Sequence, residues 1–496
     1  MPPPPRLRAA LTAALLLAPS SGFAQVSMSA HATGDLLAGW TDNVLSQPRA
    51  AETTPANVSG GNVALAQSGP QAATFFTLRP GGFLLFEGPK TQQRVGYAFS
   101  WTNFIGRPEA NSTAHQLDYS MLYALSARSE IAIGAGASYG QQNIFNLTRP
   151  AGQASGTTAN GPSGTASNTA NGQQPGGLTF LTVSAYEGYT YDVSNDWRVF
   201  QGASVGTFSV VNVNPAQSTR LTLENRAGTE RRYGRDAIVG ELYVGYLANL
   251  PVEANGARQP LVGQFLAGPT GRWRRDLSER FSSEAYVGIM AAFNPDNSNT
   301  LLGPIAGATL RFHDDFGDAT AGYNRSFGPN VFLGQIFYGD SLFVNGTVPI
   351  FEQATHLRFS TGAGLSWSNT VDAQQGRLSS TLRVLSADVG LVWDPRNGVN
   401  ASLRYQYFEQ KGNPDDERPL FSFDRNSVFL SIGAMFPYRY AAGPPKDPSG
   451  RVDRSDRPAG SIDAPSTKLR PPLGTPADVP RPGTLPIRGG GGAQQL

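Results

Sequence analysis

From Arg94 to Thr102 the chain alternates without a break. Val95, Tyr97, Phe99 and Trp101 fall on one side of an extended strand, and Arg94, Gly96, Ala98, Ser100 and Thr102 fall on the other. One side suits an apolar medium and the other suits water. The pattern recurs along the chain. Leu117, Tyr119, Met121, Tyr123 and Leu125 oppose Gln116, Asp118 and Ser120, and Ile131, Ile133, Ala135, Ala137 and Tyr139 oppose Gly134, Gly136 and Ser138. Further on, Leu242, Val244 and Tyr246 oppose Glu241, Tyr243 and Gly245, while Phe281, Ala285, Val287, Ile289 and Phe293 oppose Ser282, Glu284 and Gly288. Leu385, Ala387, Val389, Leu391 and Trp393 run into the turn Asp394-Pro395-Arg396-Asn397-Gly398 and return through Val399, Ala401, Leu403, Tyr405 and Tyr407, which reads as a hairpin.

A period of two over segments of about 10 residues, repeated this often, is how a wall with lipid on one side and water on the other is written. Composition agrees. Charged residues make up only 15% and Gly numbers 57, yet aromatics reach 10% with 27 Phe and 17 Tyr, so apolar surface is present but interleaved with small and polar residues. Beyond the N-terminus no apolar run is long enough for a transmembrane helix, so membrane residence has to come from strands.

The N-terminus carries an export signal. Arg6 and Arg8 precede the apolar run Ala9 to Ala18, which is too short to span a bilayer, and small residues follow, ending Gly22-Phe23-Ala24. Cleavage after Ala24 puts residues 1–24 in a signal peptide and starts the mature chain near Gln25. Cys is absent, which removes disulfides, thiolate metal sites and cysteine nucleophiles. The net charge of +2, without a long basic block, gives no footing for nucleic acid.

Connections alternate in length. Tight turns at Glu87 to Lys90, Ser126 to Ser129, Val193 to Asp196, Asp276 to Glu279 and Asp394 to Gly398 separate strands otherwise joined by long polar stretches, the longest being Asp42 to Gln71 and Asn146 to Gly177. Short turns belong on the periplasmic side and long loops outside. Following that parity over residues 25–440 gives an all-β, antiparallel up-and-down transmembrane β-barrel of about 18 strands, with 16 as the other even count. The count turns on Ser218 to Tyr233, where Leu221-Thr222-Leu223-Glu224 reads as strand or as loop. Glu187 shares a face with Leu181, Val183, Tyr189 and Tyr191, and only a bulge or an inverted local register would bring it into the lumen.

The last strand, Ser427 to Tyr438, ends on Met435-Phe436-Pro437-Tyr438, the aromatic terminus that barrel-assembly machinery reads. Residues 441–496 then continue, rich in Pro and Gly and without aromatics, as expected of a disordered tail. An even strand count puts this tail in the periplasm. Its charges at Arg451, Asp453, Arg454, Asp456 and Arg457 suit a periplasmic partner or the cell wall, or are simply solvated.

No catalytic pattern stands out. His31, His115, His313 and His356 share no face of an element, and HExxH, P-loop and GxSxG patterns are missing. The reading is therefore of a non-enzyme with no cofactor and no metal. The acidic stretches Asn294-Pro295-Asp296-Asn297 and Asn413-Pro414-Asp415-Asp416-Glu417 read as turns before they read as calcium ligands. The residues left to carry function are inward charges: Arg94, Asp118, Arg198, Glu241, Glu284, Arg311, Arg358, Asp388 and Arg404. They either set which solutes enter the lumen or brace the wall through ion pairs. Trp40, Tyr97, Trp101, Tyr139, Trp367, Trp393, Tyr407 and Phe436 are the expected aromatic girdle against outer-membrane lipids.

With signal peptide, alternating strands, unequal connections and an aromatic final strand, the chain resembles large outer-membrane β-barrels of Gram-negative bacteria over Ser27 to Tyr440. By size it also looks like the barrels of about 18 strands that work with a periplasmic polysaccharide-export protein. That resemblance implies a transport channel exporting a polysaccharide through a wide, unplugged lumen. A diffusion porin is the next reading and expects a loop folded into the lumen; a surface scaffold displaying the long loops is the third.

Overall fold

In the computed structural model the described residues are 27–44, 70–141, 179–210, 219–249, 253–254, 257–258, 262–294, 299–314, 317–330, 335–351, 356–372, 376–395, 399–413, 416 and 422–440. The segment expected to be a signal peptide, the residues from 441 onward and most of the two longest loops lie outside them.

The strands run β1 (Ser27–Thr41), β2 (Ala73–Glu87), β3 (Thr91–Ile105), β4 (Ser112–Ala124), β5 (Ser129–Gln141), β6 (Thr179–Asp192), β7 (Trp197–Val210), β8 (Arg220–Tyr233) and β9 (Asp236–Asn249). After the short pair β10 (Glu253–Ala254) and β11 (Ala257–Arg258) come β12 (Val262–Asp276), β13 (Phe281–Phe293), β14 (Thr300–Asp314) and β15 (Gly317–Asn330). β16 (Gln335–Pro349), β17 (Leu357–Asp372), β18 (Arg377–Trp393), β19 (Val399–Gly412) and β20 (Phe423–Tyr440) complete the chain. Apart from the separate β10–β11 ladder they form one 18-stranded antiparallel sheet, in which each strand pairs with its sequence neighbour and β1 pairs with β20. The higher of the two expected counts holds, and Leu221 to Glu224 belong to β8.

Tight connections at residues 88–90, 125–128, 193–196 and 234–235 gather at one end, and the longer ones, such as 42–72 and 142–178, at the other. Gly234 has φ of 59°, the left-handed backbone that a two-residue hairpin turn requires. Alternation sets the two faces. Leu242, Val244, Val287, Ile289, Leu302, Val344 and Leu403 are exposed on the outer face. Their alternate neighbours Glu241, Tyr243, Tyr286, Ile305 and Ser402 are buried on the inner one. The β5–β6 and β6–β7 ladders run through Glu187 without a register shift. No bulge rescues that carboxylate: it stands exposed on the outer face and accepts a hydrogen bond from Gln201 at 3.4 Å.

The β14–β15 ladder stops although both strands continue. β14 pairs with β15 from Asp314–Gly317 only as far as Ala306–Arg325. Above that point residues 300–305 pair with β13 alone, and residues 326–330 with β16 alone. The hairpin is zipped at the short-turn end and open toward the long-loop end.

Candidate functional site: a charged inner wall below a tucked strand tip

All the inward charges expected from the sequence lie on the inner face, and the structure groups some of them. Arg226, Glu241, Arg272, Glu284, Arg274, Glu230 and Arg232 form an alternating chain of ion pairs across β8, β9, β12 and β13. Within it Arg272 spans Glu241 at 3.0 Å and Glu284 at 3.2 Å, Arg274 reaches Glu284 at 2.8 Å, and Arg232 reaches Glu230 at 2.7 Å. The Glu230 and Glu241 side chains are 0% and 2% exposed, so these charges are held by one another rather than by water. Removing one member of such a buried set leaves an uncompensated charge, which is strongly destabilising. Glu241 and Glu284 were legible from the sequence. Arg226, Glu230, Arg232, Arg272 and Arg274 were not singled out, although the same inward parity marks them.

The other inward charges sit apart from this chain. Arg198 pairs with Asp192 at 2.6 Å near the short-turn end. Arg94 stacks over the Phe83 ring at 4.3 Å, and the Asp118 carboxylate lies where a side chain at Gly96 would stand. Arg404 packs against Gly390, two residue pairs from Asp388 on the neighbouring strand. Arg358 is half-buried and Arg311 is exposed on the inner face. The charges on the β8–β13 side are paired, whereas among the described residues Arg311 makes no ion pair and is exposed.

Toward the long-loop end the inner face changes character. Tyr243, Leu247, Leu266, Met290, Ala292 and Ile305 form a buried apolar wall. The residues packed onto that wall come from an unexpected place. Phe327, Ile336 and Val371 belong to the faces of β15, β16 and β17 that point outward lower down, where Leu342 and Val344 are 44% and 52% exposed. Ile336 is 0% exposed. Its neighbour Phe337, facing the opposite way, is 2% exposed and packs with Leu382, Val384, Phe408 and Phe423 of β18, β19 and β20. The upper ends of β15 and β16 are thus covered on both faces: they have left the wall beside β14 and stand in the lumen.

Local chemistry explains the tuck. Gly303 faces inward, and a Cβ there would come within 2.9 Å of the Phe327 ring, so the ring could keep this position only beneath glycine and would otherwise have to shift. Pro304 has no N–H to offer a ladder, and its carbonyl accepts instead from the Tyr338 hydroxyl at 2.9 Å. The expected wide, unplugged lumen is therefore corrected: side chains of β15 and β16 pack across its long-loop end, between the β9–β14 wall and β18–β20. No loop pattern in the sequence marked this, because the tucked residues alternate like any other strand.

The girdle residues Trp40, Trp101, Tyr139, Trp367, Trp393 and Phe436 are exposed on the outer face. Tyr97 and Tyr407 lie near the midpoints of β3 and β19 instead, where Tyr97 shares a hydrogen bond with His115 at 2.8 Å and Tyr407 stands opposite Asn426. Tyr123, Tyr191, Trp197, Tyr233, Trp273 and Phe281, aromatics not among those expected, are also exposed, near the short-turn ends of their strands.

No protein-family model matches the sequence, and no curated protein is similar to it. Among solved structures, the chain is similar to OccAB3 of Acinetobacter baumannii, with 8% identity over 83% of this chain and 99% of that one and a TM-score of 0.42. It is likewise similar to OccK2 of Pseudomonas aeruginosa, solved with glucuronate, at 10% identity over 84% and 98% with a TM-score of 0.40. The FrpB iron transporter of Neisseria meningitidis aligns at 6% identity over 84% and 82%, with a TM-score of 0.43. At these values no residue role or solute passes from them to this chain.

Proposed function

We propose that this chain is a transport channel of the Gram-negative outer membrane whose resting state is closed by part of its own wall. An 18-stranded barrel is wide enough to leave an aqueous path when nothing fills it. Here the filling element is the β15–β16 tip, and the observation that carries the proposal is the burial of consecutive residues Ile336 and Phe337 on opposite faces of that tip. A constriction of this kind belongs with a channel for small solutes. Export of a polysaccharide called for an open bore, and nothing in the structure or the comparisons supports it.

The reading is tested by conductance in planar bilayers. Native protein is expected to give rare, small openings. The double variant Ile336→Asp with Phe337→Asp charges both faces of the tip and is expected to give frequent, larger ones. Large steady currents from the native protein would show that the tip does not close the lumen, and silence from both would remove the channel reading.

A further inference from the structure

Above Ala306–Arg325 no ladder joins β14 to β15 between the outer surface of the barrel and its interior. Among the described residues the other ladders break for two residue pairs at most, as at Gly268–Pro269 of β12 and Arg79–Pro80 of β2, and backbone pairing on either side of such a break separates the two sides of the wall, as a bilayer-spanning sheet requires. Along this seam the separation is made by side chains: the Phe327 and Tyr338 rings beneath Gly303, and the Tyr338 hydroxyl on the Pro304 carbonyl. Side chains change rotamer without unzipping a sheet.

Three features of the seam share one chemistry. At its foot, on the outer face beside Ala306, Arg325 binds Asp340 through Nε at 2.8 Å and through Nη2 at 2.8 Å, and the Tyr323 hydroxyl donates to the same carboxylate. A guanidinium has five N–H donors, so two are used and three are left. The Arg325 side chain is 41% exposed. A lone cation on the lipid face of a barrel is unfavourable by about 2–4 kcal/mol near the midplane; here Asp340 compensates the charge, and the unused donors are left for a further acceptor. Above it the seam is lined by Leu302, exposed outside, and by Phe327 and Tyr338 inside. Inward of the seam lies the apolar wall of Met290, Ile305 and Leu266, and lower down Arg226 and Arg272 of the ion-pair chain.

We infer that the seam between β14 and β15 is a lateral portal that admits an amphiphile with a long apolar chain and an anionic head from the lipid phase into the lumen. Arg325 receives the head, and the chain passes between Leu302 and the Phe327–Tyr338 pair onto the apolar inner wall. This rests on the channel reading and names its substrate class.

The test uses full-length protein in lipid nanodiscs and a palmitate analogue carrying a photoreactive diazirine on its chain, with the labelled peptides mapped by mass spectrometry. Label is expected on inner-face peptides containing Met290 and Phe337 as well as on the outer wall around Leu342, and unlabelled palmitate should compete for the inner label. Arg325→Gln should lower the inner label about tenfold, the scale of losing a charge-assisted contact, and leave the outer label unchanged. The chain has no Cys, so Pro304→Cys with Phe327→Cys can be joined by a bifunctional thiol reagent, and this bridge should abolish the inner label. Label confined to the outer wall, or inner label that survives both the bridge and Arg325→Gln, overturns the portal. The currents of the Ile336→Asp and Phe337→Asp variant do not depend on access from lipid. If they persist while the portal fails, the channel reading stands and its substrate enters elsewhere.

Discussion

Two junctions of this barrel invert the usual expectation. β1 and β20 come from opposite ends of the chain, yet they pair without interruption from Met28–Tyr440 to Thr41–Ser427. β14 and β15 are joined by a tight turn, yet their ladder stops at Ala306–Arg325. Proximity in sequence therefore does not decide where a barrel wall is continuous. What decides is the side chains along each edge. At the closing junction Leu37, Phe75, Phe104 and Phe429 pack over the ladder, and Asp42 binds Asn426 through its backbone N–H at 2.7 Å and its side-chain amide at 2.8 Å. At the open junction Gly303 and Pro304 remove, in consecutive positions, the Cβ that would keep a neighbour out and the N–H that would hold a ladder together.

The largest contrast is expected from moving a proline between these junctions. Leu36 pairs with Leu78 on one side and Ile432 on the other. Leu36→Pro removes a ladder donor in mid-strand and forces the backbone at the position that closes the barrel, so the closed barrel is expected to be lost outright rather than weakened. The heat-modifiable folded band on SDS gels should be lost. A barrel that assembles normally with this substitution would show that closure does not depend on the continuous β1–β20 ladder.

A smaller effect is expected at the tip itself. Phe327→Ala empties space against Met290 and Ile305 and should destabilise the barrel by about 3–5 kcal/mol, read as a lower urea midpoint in micelles. The same variant should raise conductance, because the tip loses its hold on the inner wall. A lower midpoint with unchanged conductance would separate packing from closure and leave the tip as structure only.

Much of the barrel was legible because a period of two reports faces directly. The strands of Arg94 to Thr102 and Leu385 to Tyr407, the inward Glu241 and Glu284, and the outward Trp393 all follow from it. Glu187 is the instructive case: alternation put it outside, and outside is where it stands, with Gln201 as its donor. The tuck was not legible, because alternation says only that Ile336 and Val344 share a face. It does not say that one meets lipid while the other meets a second layer of wall. The signal that existed was the pair Gly303-Pro304 inside an apolar strand, where both residues weaken a ladder.

Replacing Pro304 tests that signal at its source and should change stability least. Pro304→Val gives β14 back an N–H and a β-branched side chain suited to a sheet, while Gly303 still leaves room beneath for Phe327. Because the position lies on an exposed outer edge, the urea midpoint should shift by less than about 1 kcal/mol in free-energy terms. Hydrogen exchange is the decisive readout. If proline keeps the seam open, amides in residues 300–305 and 326–330 should gain protection in the variant, while those around Leu36 stay as they were. Exchange that remains fast on both edges of the seam would mean that the Phe327 and Tyr338 rings under Gly303, rather than the missing donor, hold β14 and β15 apart.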